Sequence, residues 1–467
     1  MPYLSIRQRG VGSTPPQPLR QVKSQGFHIF DHGATYSKLV PMNLPSLTSH
    51  ISRRRCLASI AGAAAGAIGL SDRARAQTEE KLPPIRAITK GPRHHWFGYY
   101  DKLQFDRTGR YVLGCEIDFE HRSPKATDEI RIGMVDLADG DRWIELGKSS
   151  AFSWQQGCML QWLPGSQSTV LWNDREGDHY VCRILDVATH QMRTIPQPIY
   201  AIDPTGTVAI TTDFRRLKDT RPGYGYAGLE DPYVDQLAPS ESGIWRVDLK
   251  TGEQRLIISL AEVALFGDSR EAVRGAKHRF EHLLFNPDGT RIVFLDRFDP
   301  PKKAPAVKGK TRMLTASPEG KDLYVVDPPG SMSHFYWGDA EHILAWANPE
   351  GHTPGFYIFR DKTSEVAPIG AGIMTANGHC TYLPGNQWIL NDTYPDKNRL
   401  QHPYLYHVST NARTPLGHFY SPPEYSGEWR CDTHPRFSRD GKSVVIDSPH
   451  GGNGRQMYLI DIAGIVG

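Results

Sequence analysis

The chain has 467 residues, 39% of them hydrophobic and 22% charged, which leaves room for a large folded core. Its net charge is only +3 and it carries no basic tail, so composition offers nothing for nucleic-acid binding. The 35 Pro and 44 Gly imply many tight turns.

Residues 1–50 are polar and aperiodic and read as a disordered or untranslated leader, with Met42 as an alternative start. Residues 51–76 read as a Tat-type export signal. Ser52-Arg53-Arg54-Arg55-Cys56-Leu57 is the twin-arginine head, Ala58–Leu70 an apolar run too short to cross a bilayer, and Ala74-Arg75-Ala76 the cleavage pattern. The expectation is a folded protein carried to the periplasm or beyond, a monomer with no membrane attachment after cleavage. Cleavage leaves Cys115, Cys158, Cys182, Cys380 and Cys431, an odd set that makes no disulfide framework. Residues 77–84 read as a linker and 85–467 as one domain.

Within that domain one pattern recurs. A short apolar strand, a Gly-containing turn and a β-branched strand appear in Leu103–Phe119, Leu160–Asp174, Tyr200–Phe214, Leu283–Arg297, His334–Asn348, Cys380–Tyr394 and Cys431–Ser448. Each is followed by a further apolar strand: Ile132–Leu137, Val181–Val187, Ile244–Leu249, Asp322–Asp327, Phe356–Arg360, Leu405–Val408 and Met457–Ile462. Repeats of about 40–50 residues with about four strands each predict an all-β, seven-bladed β-propeller with four-stranded antiparallel blades. The last copy has no outermost strand, so a segment near Pro84–Lys90 is predicted to supply it and close the ring. The longest insertion, Arg215–Ser242, and the polar loop Asp299–Thr311 are predicted to roof one face.

Blade register then locates chemistry. His282, His334, His379 and His434 each stand three residues before the bulky residue that precedes the turn. Equal register in a propeller means equal height at the channel, so these imidazoles are predicted to converge on a divalent metal. Cys380 and Cys431 lie beside them in sequence. Thiolates would favour Zn²⁺, and imidazoles alone leave Mn²⁺ or Ca²⁺ open. The second strands return to the same mouth, and their ends are rich in His, Arg and Tyr. Asn173 and Arg297 are predicted there as substrate contacts, along with His94 and Tyr99 from the run before blade one and Tyr224 from the long insertion. Guanidinium groups suit carboxylates, and a His or Tyr can take the proton beside one, so the mouth fits β-elimination from a uronate in an anionic polysaccharide. A propeller hydrolase would want two facing carboxylates. A non-enzymatic binding scaffold would need no convergent His, Arg and Tyr.

His94–Lys102, Trp154–Trp162 and Arg221–Tyr226 resemble the long-form ulvan lyases (polysaccharide lyase family 24, with family 25 related). The resemblance covers roughly residues 85–467. It implies a seven-bladed propeller that cleaves a sulfated rhamnose–uronate polymer, with His and Tyr as base and acid and an Arg neutralising the carboxylate. Carried onto this chain, these roles fall on His95 and His121, with His94 competing, on Tyr200 and on Arg216. The C-terminal His-bearing blades also resemble oligogalacturonate lyases, which hold a divalent metal with a His cluster. That resemblance implies a pectin-type substrate as the alternative.

Overall fold

The computed structural model describes residues 80–267, 273, 275–299, 310–330 and 332–467. The leader, the twin-arginine stretch and most of the Asp299–Thr311 loop lie outside the described residues.

Seven four-stranded antiparallel sheets make up the propeller. Blade one is His94–Trp96, Tyr111–Ile117, Ile130–Asp136 and Arg142–Ser149, and blade two is Gln161–Trp162, Thr169–Glu176, His179–Asp186 and Gln191–Ile195. Blade three is Ala201–Ile202, Val208–Thr212, Gly243–Asp248 and Gln254–Ser259. Blade four is Lys277–Phe285, Ile292–Asp299, Thr311–Ala316 and Tyr324–Gly330, and blade five is Phe335–Trp337, His342–Ala347, Gly355–Arg360 and Val366–Pro368. Blade six is Thr381–Tyr382, Trp388–Asn391, Tyr404–His407 and Ala412–Pro415. Blade seven is Arg436–Phe437, Ser443–Ser448 and Gln456–Asp461, completed by Ile85–Ala87 from the other end of the chain. Ile85 pairs with Ile460 and Ala87 with Tyr458, which is the predicted closure. Alternation puts Val112, Ile132, Val170, Ile210, Phe294, Ile343, Leu390 and Val445 in fully buried positions on the sheets. Each such side chain contributes about 1.5–3 kcal/mol over exposure, and no blade can bury both its faces alone.

Two predicted elements are placed differently. The innermost strand of blade one begins at His94, not Leu103: His94–Trp96 pairs with Cys115–Ile117, and only a bridge between Phe105 and Val112 continues it. Between them the chain leaves the sheet, and Phe97–Lys102 enters the channel. In blade four Asp322–Asp327 belongs to the outermost strand, because Thr311–Ala316 takes the third place. The polar loop before Thr311 masked that strand in the pattern.

The Arg215–Ser242 insertion opens with the helix Phe214–Thr220, capped by Asp213, whose side chain accepts from the Arg215 N–H. Arg221–Tyr226 then returns over the channel. It is stitched to blade two through the Gln155 N–H and Gly223 carbonyl at 3.1 Å. The insertion meets the loop before blade seven through Lys218 Nζ of the helix and Glu428 at 3.2 Å and through Arg430 Nη2 and the Tyr224 hydroxyl at 2.9 Å.

The seam between blades one and seven carries a buried carboxylate. Glu120 accepts from Arg455 Nε at 2.8 Å and from the Tyr425 hydroxyl at 2.7 Å, and lies 2.9 Å from His94 Nδ1. Burial raises its pKa, but these partners outweigh burial and hold it at about 2. A carboxylate with a depressed folded pKa stabilises fully above its unfolded value near 4.5, and that contribution fades as pH falls towards 2. It amounts to about 3 kcal/mol for this shift. Glu120→Gln should therefore lower the melting temperature at pH 7, and the gap from wild type should narrow steadily between pH 5 and pH 3. A gap independent of pH would show that the pairing energy resides elsewhere.

Candidate functional site

His282, His334, His379 and His434 come together at one end of the channel. Ring centroids are 6.2 Å apart for His282 and His334, 4.0 Å for His334 and His379, and 4.2 Å for His379 and His434. The backbone is bent to achieve this. His282 sits at an irregularity in the blade-four ladder with φ +57°, and His434 has φ +38°. Bulges and left-handed residues of this kind re-aim a side chain out of the sheet, at a conformational cost.

The Phe97–Lys102 excursion supplies the floor. Tyr99 packs edge-on to His282 at 5.1 Å and His434 at 5.3 Å, and Tyr100 lies 5.3 Å from His379. The Tyr100 hydroxyl donates to the Phe335 carbonyl at 2.9 Å. Gly98 makes the excursion feasible: at φ +119°, a Cβ there would stand 2.7 Å from the Gln156 backbone.

The polar inventory of this pocket is incomplete in a telling way. Among the described residues, Nε2 of His282, His379 and His434 and the Tyr99 hydroxyl are buried without a hydrogen-bond partner, and His282 Nδ1 has only the Glu281 carboxylate, 3.5 Å away. Unpaired buried polar atoms cost about 1–3 kcal/mol each, so such a concentration marks a place where a ligand is expected. His379 is oriented for that purpose. Its Nδ1 lies 2.9 Å from Asp392 Oδ1, and Asp392 is held in turn by the His379 N–H at 2.7 Å and the Thr433 hydroxyl at 2.5 Å. The carboxylate fixes the proton on Nδ1 and leaves the Nε2 lone pair facing the channel, the usual arrangement behind a metal-bound imidazole.

His379, Asp432 and His434 offer ligand atoms that all lie within 4.8 Å of one another. Burial and the neighbouring imidazole of His379 push His334 and His434 well below the ordinary imidazole value. Burial also lowers His282, to about 4 despite Glu281 beside it. All three are therefore neutral, the form that ligates a cation or accepts a proton. The donor set fits a divalent metal.

Guanidinium groups roof the cluster. Arg221 and Arg297 both pair with buried Glu281. Burial raises that carboxyl's pKa, but the two arginines outweigh it and hold it well below the usual range. Arg221 also stacks on Tyr224 at 3.7 Å, and Arg430 pairs with Asp432 at 2.7 Å. These three arginines keep 18–26% of their side chains accessible, whereas the imidazoles beneath them are 1–3% exposed.

Several predicted site residues are elsewhere. Cys380 lies in the apolar cluster with Leu344, Phe356 and Met374, because strand alternation turns it away from the face His379 uses. Burial pushes the Cys380 and Cys431 thiols up, and neither joins the group of potential ligands. Asp432 stands where a thiolate was expected. Arg216 is no carboxylate clamp. Its donors are consumed by the carbonyls of His278, Tyr233, Gln236 and Leu237 and by Asp231 Oδ2, at 2.6–3.2 Å.

Asn173 is likewise saturated, bonding both polar backbone atoms of Ile199 and the Tyr226 hydroxyl. His95 is buried between Gln456 and Glu116 and packs on Trp143 of the outermost strand, away from the channel. His121 is exposed at the rim against Tyr425, and His94 sits at the seam with Glu120. Tyr200 borders the cluster, but its hydroxyl accepts from Gln156 Nε2 at 2.6 Å and from the His282 N–H at 2.9 Å. Tyr99, Tyr224 and Arg297 do reach the site. Asp392, Asp432, Glu281, Arg221 and Arg430 were missed as site residues. Asp392, Asp432 and Arg221 stand in stretches the sequence singles out, but only their partners reveal their use.

No protein-family model matches the chain, and no curated protein matches it in sequence. Solved structures do. Oligogalacturonate lyase from Vibrio parahaemolyticus superposes with a TM-score of 0.57 at 14% identity, over 82% of this chain and 96% of that one. An oligogalacturonate lyase in complex with manganese gives 0.57 at 15% identity, over 81% and 93%. The likeness is one of fold. TolB from Acinetobacter baumannii, at 0.38 and 14% identity over 75% and 80%, superposes too loosely to bear on function.

Two measurements follow from these placements. Arg216→Lys should lower stability by roughly 2–4 kcal/mol, since it strands buried acceptors. Tyr200→Phe should cost about 1–3 kcal/mol by leaving two buried donors unpaired. Denaturant unfolding of both variants checks this, and wild-type stability in either would refute the structural role. Elemental analysis of protein prepared without chelator should find close to one divalent metal per chain in wild type and little in His379→Ala, while Cys380→Ala retains it.

Proposed function

We propose that the protein is a metal-assisted polysaccharide lyase that breaks the chain beside a uronate by β-elimination. The observation that carries this reading is the set of buried imidazoles with unpartnered ring nitrogens beneath three partly accessible guanidinium groups. In such a site the uronate carboxylate lies against Arg221 and Arg430, with Arg297 behind them. His379, Asp432 and His434 would hold the cation, which when bound supplies Lewis-acid stabilisation of the charge that develops on the carboxylate.

His282 stands outside that ligand group, with Nδ1 3.5 Å from Glu281 and Nε2 unpartnered among the described residues, so Nε2 is the base that takes the proton from C5. The electron pair of the broken C5–H bond becomes the new C4–C5 double bond as the C4–O4 bond breaks, its pair leaving on O4. Tyr99, whose pKa burial pushes well above the ordinary value, keeps its proton until O4 leaves and then delivers it. Three guanidiniums exceed the need of one carboxylate. They suit either consecutive uronates, as in galacturonate polymers, or a uronate beside sulfate, as in ulvan. Export through the twin-arginine signal, placing the enzyme where such polymers occur, is part of the same proposal.

The test is to incubate the full purified chain with polygalacturonate, ulvan and a glycosaminoglycan and follow the absorbance of the unsaturated uronate. Absorbance should rise with one of the first two. His282→Ala should reduce turnover by about 10²–10⁴ while the melting temperature holds. Chain cleavage without that absorbance would mean a hydrolase, and no cleavage of any of the three would end the proposal.

A further inference from the structure

The opposite mouth of the channel carries a second polar constellation that this chemistry does not use. It is walled by the turns between the first and second strands of the blades. Adjoining cavities of about 370, 350 and 230 Å³ there share Arg439, and the last two also share Asp101, Lys102 and Tyr336. At the floor, Lys102 Nζ lies 2.9 Å from Asp101 Oδ2, with both side chains no more than 5% exposed. Asp101 Oδ1 is buried and has no partner among the described residues. The Lys102 ammonium has that one hydrogen-bond acceptor among the described residues, with the Tyr200 ring on its other side at 5.1 Å. At the rim, Arg107 and Arg439 line the same cavity as Gly165. Neither guanidinium forms a hydrogen bond or ion pair among the described residues. The nearby Asp106 carboxylate is already committed to Thr108 and the Tyr111 N–H.

We propose that this mouth binds a small hydroxylated carboxylate, a sugar acid or hydroxy acid, with its carboxylate between Arg107 and Arg439 and a hydroxyl at Asp101 and Lys102. Each part of the constellation excludes a simpler ligand. Two unpaired guanidiniums repel a cation and attract a carboxylate. The unpartnered Asp101 oxygen demands a donor and repels a bare inorganic anion. The adjacent ammonium demands an acceptor and repels the ammonium group of an amino acid. A hydroxyl is a small group that can donate to Asp101 Oδ1 while accepting from Lys102 Nζ. The cavity volumes suit a molecule of monosaccharide size. The site is separate from the imidazole cluster, so it stands whether or not the lyase reading does.

Calorimetric titration of the full chain with galacturonate, galactose and sulfate tests it. Galacturonate should bind, with galactose and sulfate each at least about tenfold weaker. The double variant Arg107→Ala/Arg439→Ala changes only exposed turn residues and should keep its melting temperature and any lyase activity. Compared in the Arg221→Ala background, which removes a uronate clamp from the other mouth, the double variant should lose galacturonate binding by about tenfold or more, while Arg221→Ala alone keeps the binding at this mouth. Asp101→Asn should weaken galacturonate without strengthening galactose. The proposal is overturned if galacturonate does not bind, if the double variant binds it normally, or if sulfate binds equally well.

Discussion

Ring closure is the constraint on which the rest depends. Three residues at one end of the chain, Ile85–Ala87, pair with Tyr458–Ile460 at the other, and only then does every blade have a neighbour on both faces. Closure also fixes where the innermost strands begin, and therefore where His282, His334, His379 and His434 meet. The seam beside it is reinforced by charge, with Arg455 and Tyr425 gripping Glu120, so the ring is locked by backbone pairing and by a buried carboxylate together.

Convergence in a narrow channel has an electrostatic consequence. Burial opposes protonation of His282, His334 and His434, and the neighbouring imidazole of His379 adds to this for the last two. They remain neutral while guanidiniums above them remain charged, because Glu281 and Asp432 pair with those cations. The result is a layered site, with cations near solvent and lone pairs beneath. An anionic ligand meets attraction first and bases second. Tyr99 and Tyr100 close the far side, so the cluster and the opposite mouth are separate environments on one axis.

The repeat was legible because it is local. A Gly-containing turn between apolar strands declares a hairpin without knowledge of its neighbours, and seven copies with a missing last strand declare a closed ring. The same locality explains the failures. Thr311–Ala316 was overlooked because a polar loop interrupts the spacing. A strand end points Asn173 at a mouth, and the family resemblance points Arg216 there. Their partners, the Tyr233–Leu237 carbonyls and the Ile199 backbone, come from loops whose path no period describes. His95 failed for a related reason, since the face of its strand is set by pairing with Glu116 and by Gln456 from the other end of the chain.

By itself the sequence determined the blade count, the strand order within most blades, the closure and the equal register of four histidines. All of these follow from side-chain alternation and turn chemistry within about 20 residues. The tertiary structure alone decided which polar atoms find partners. It brought Tyr99 to His282 and His434, placed Asp432 where a thiolate was expected and turned Cys380 into an apolar cluster. The physical reason is that a strand's period specifies the face on which a side chain lies. Whether that face meets a carboxylate, a guanidinium or nothing depends on segments hundreds of residues away, brought to the same axis only when the ring closes.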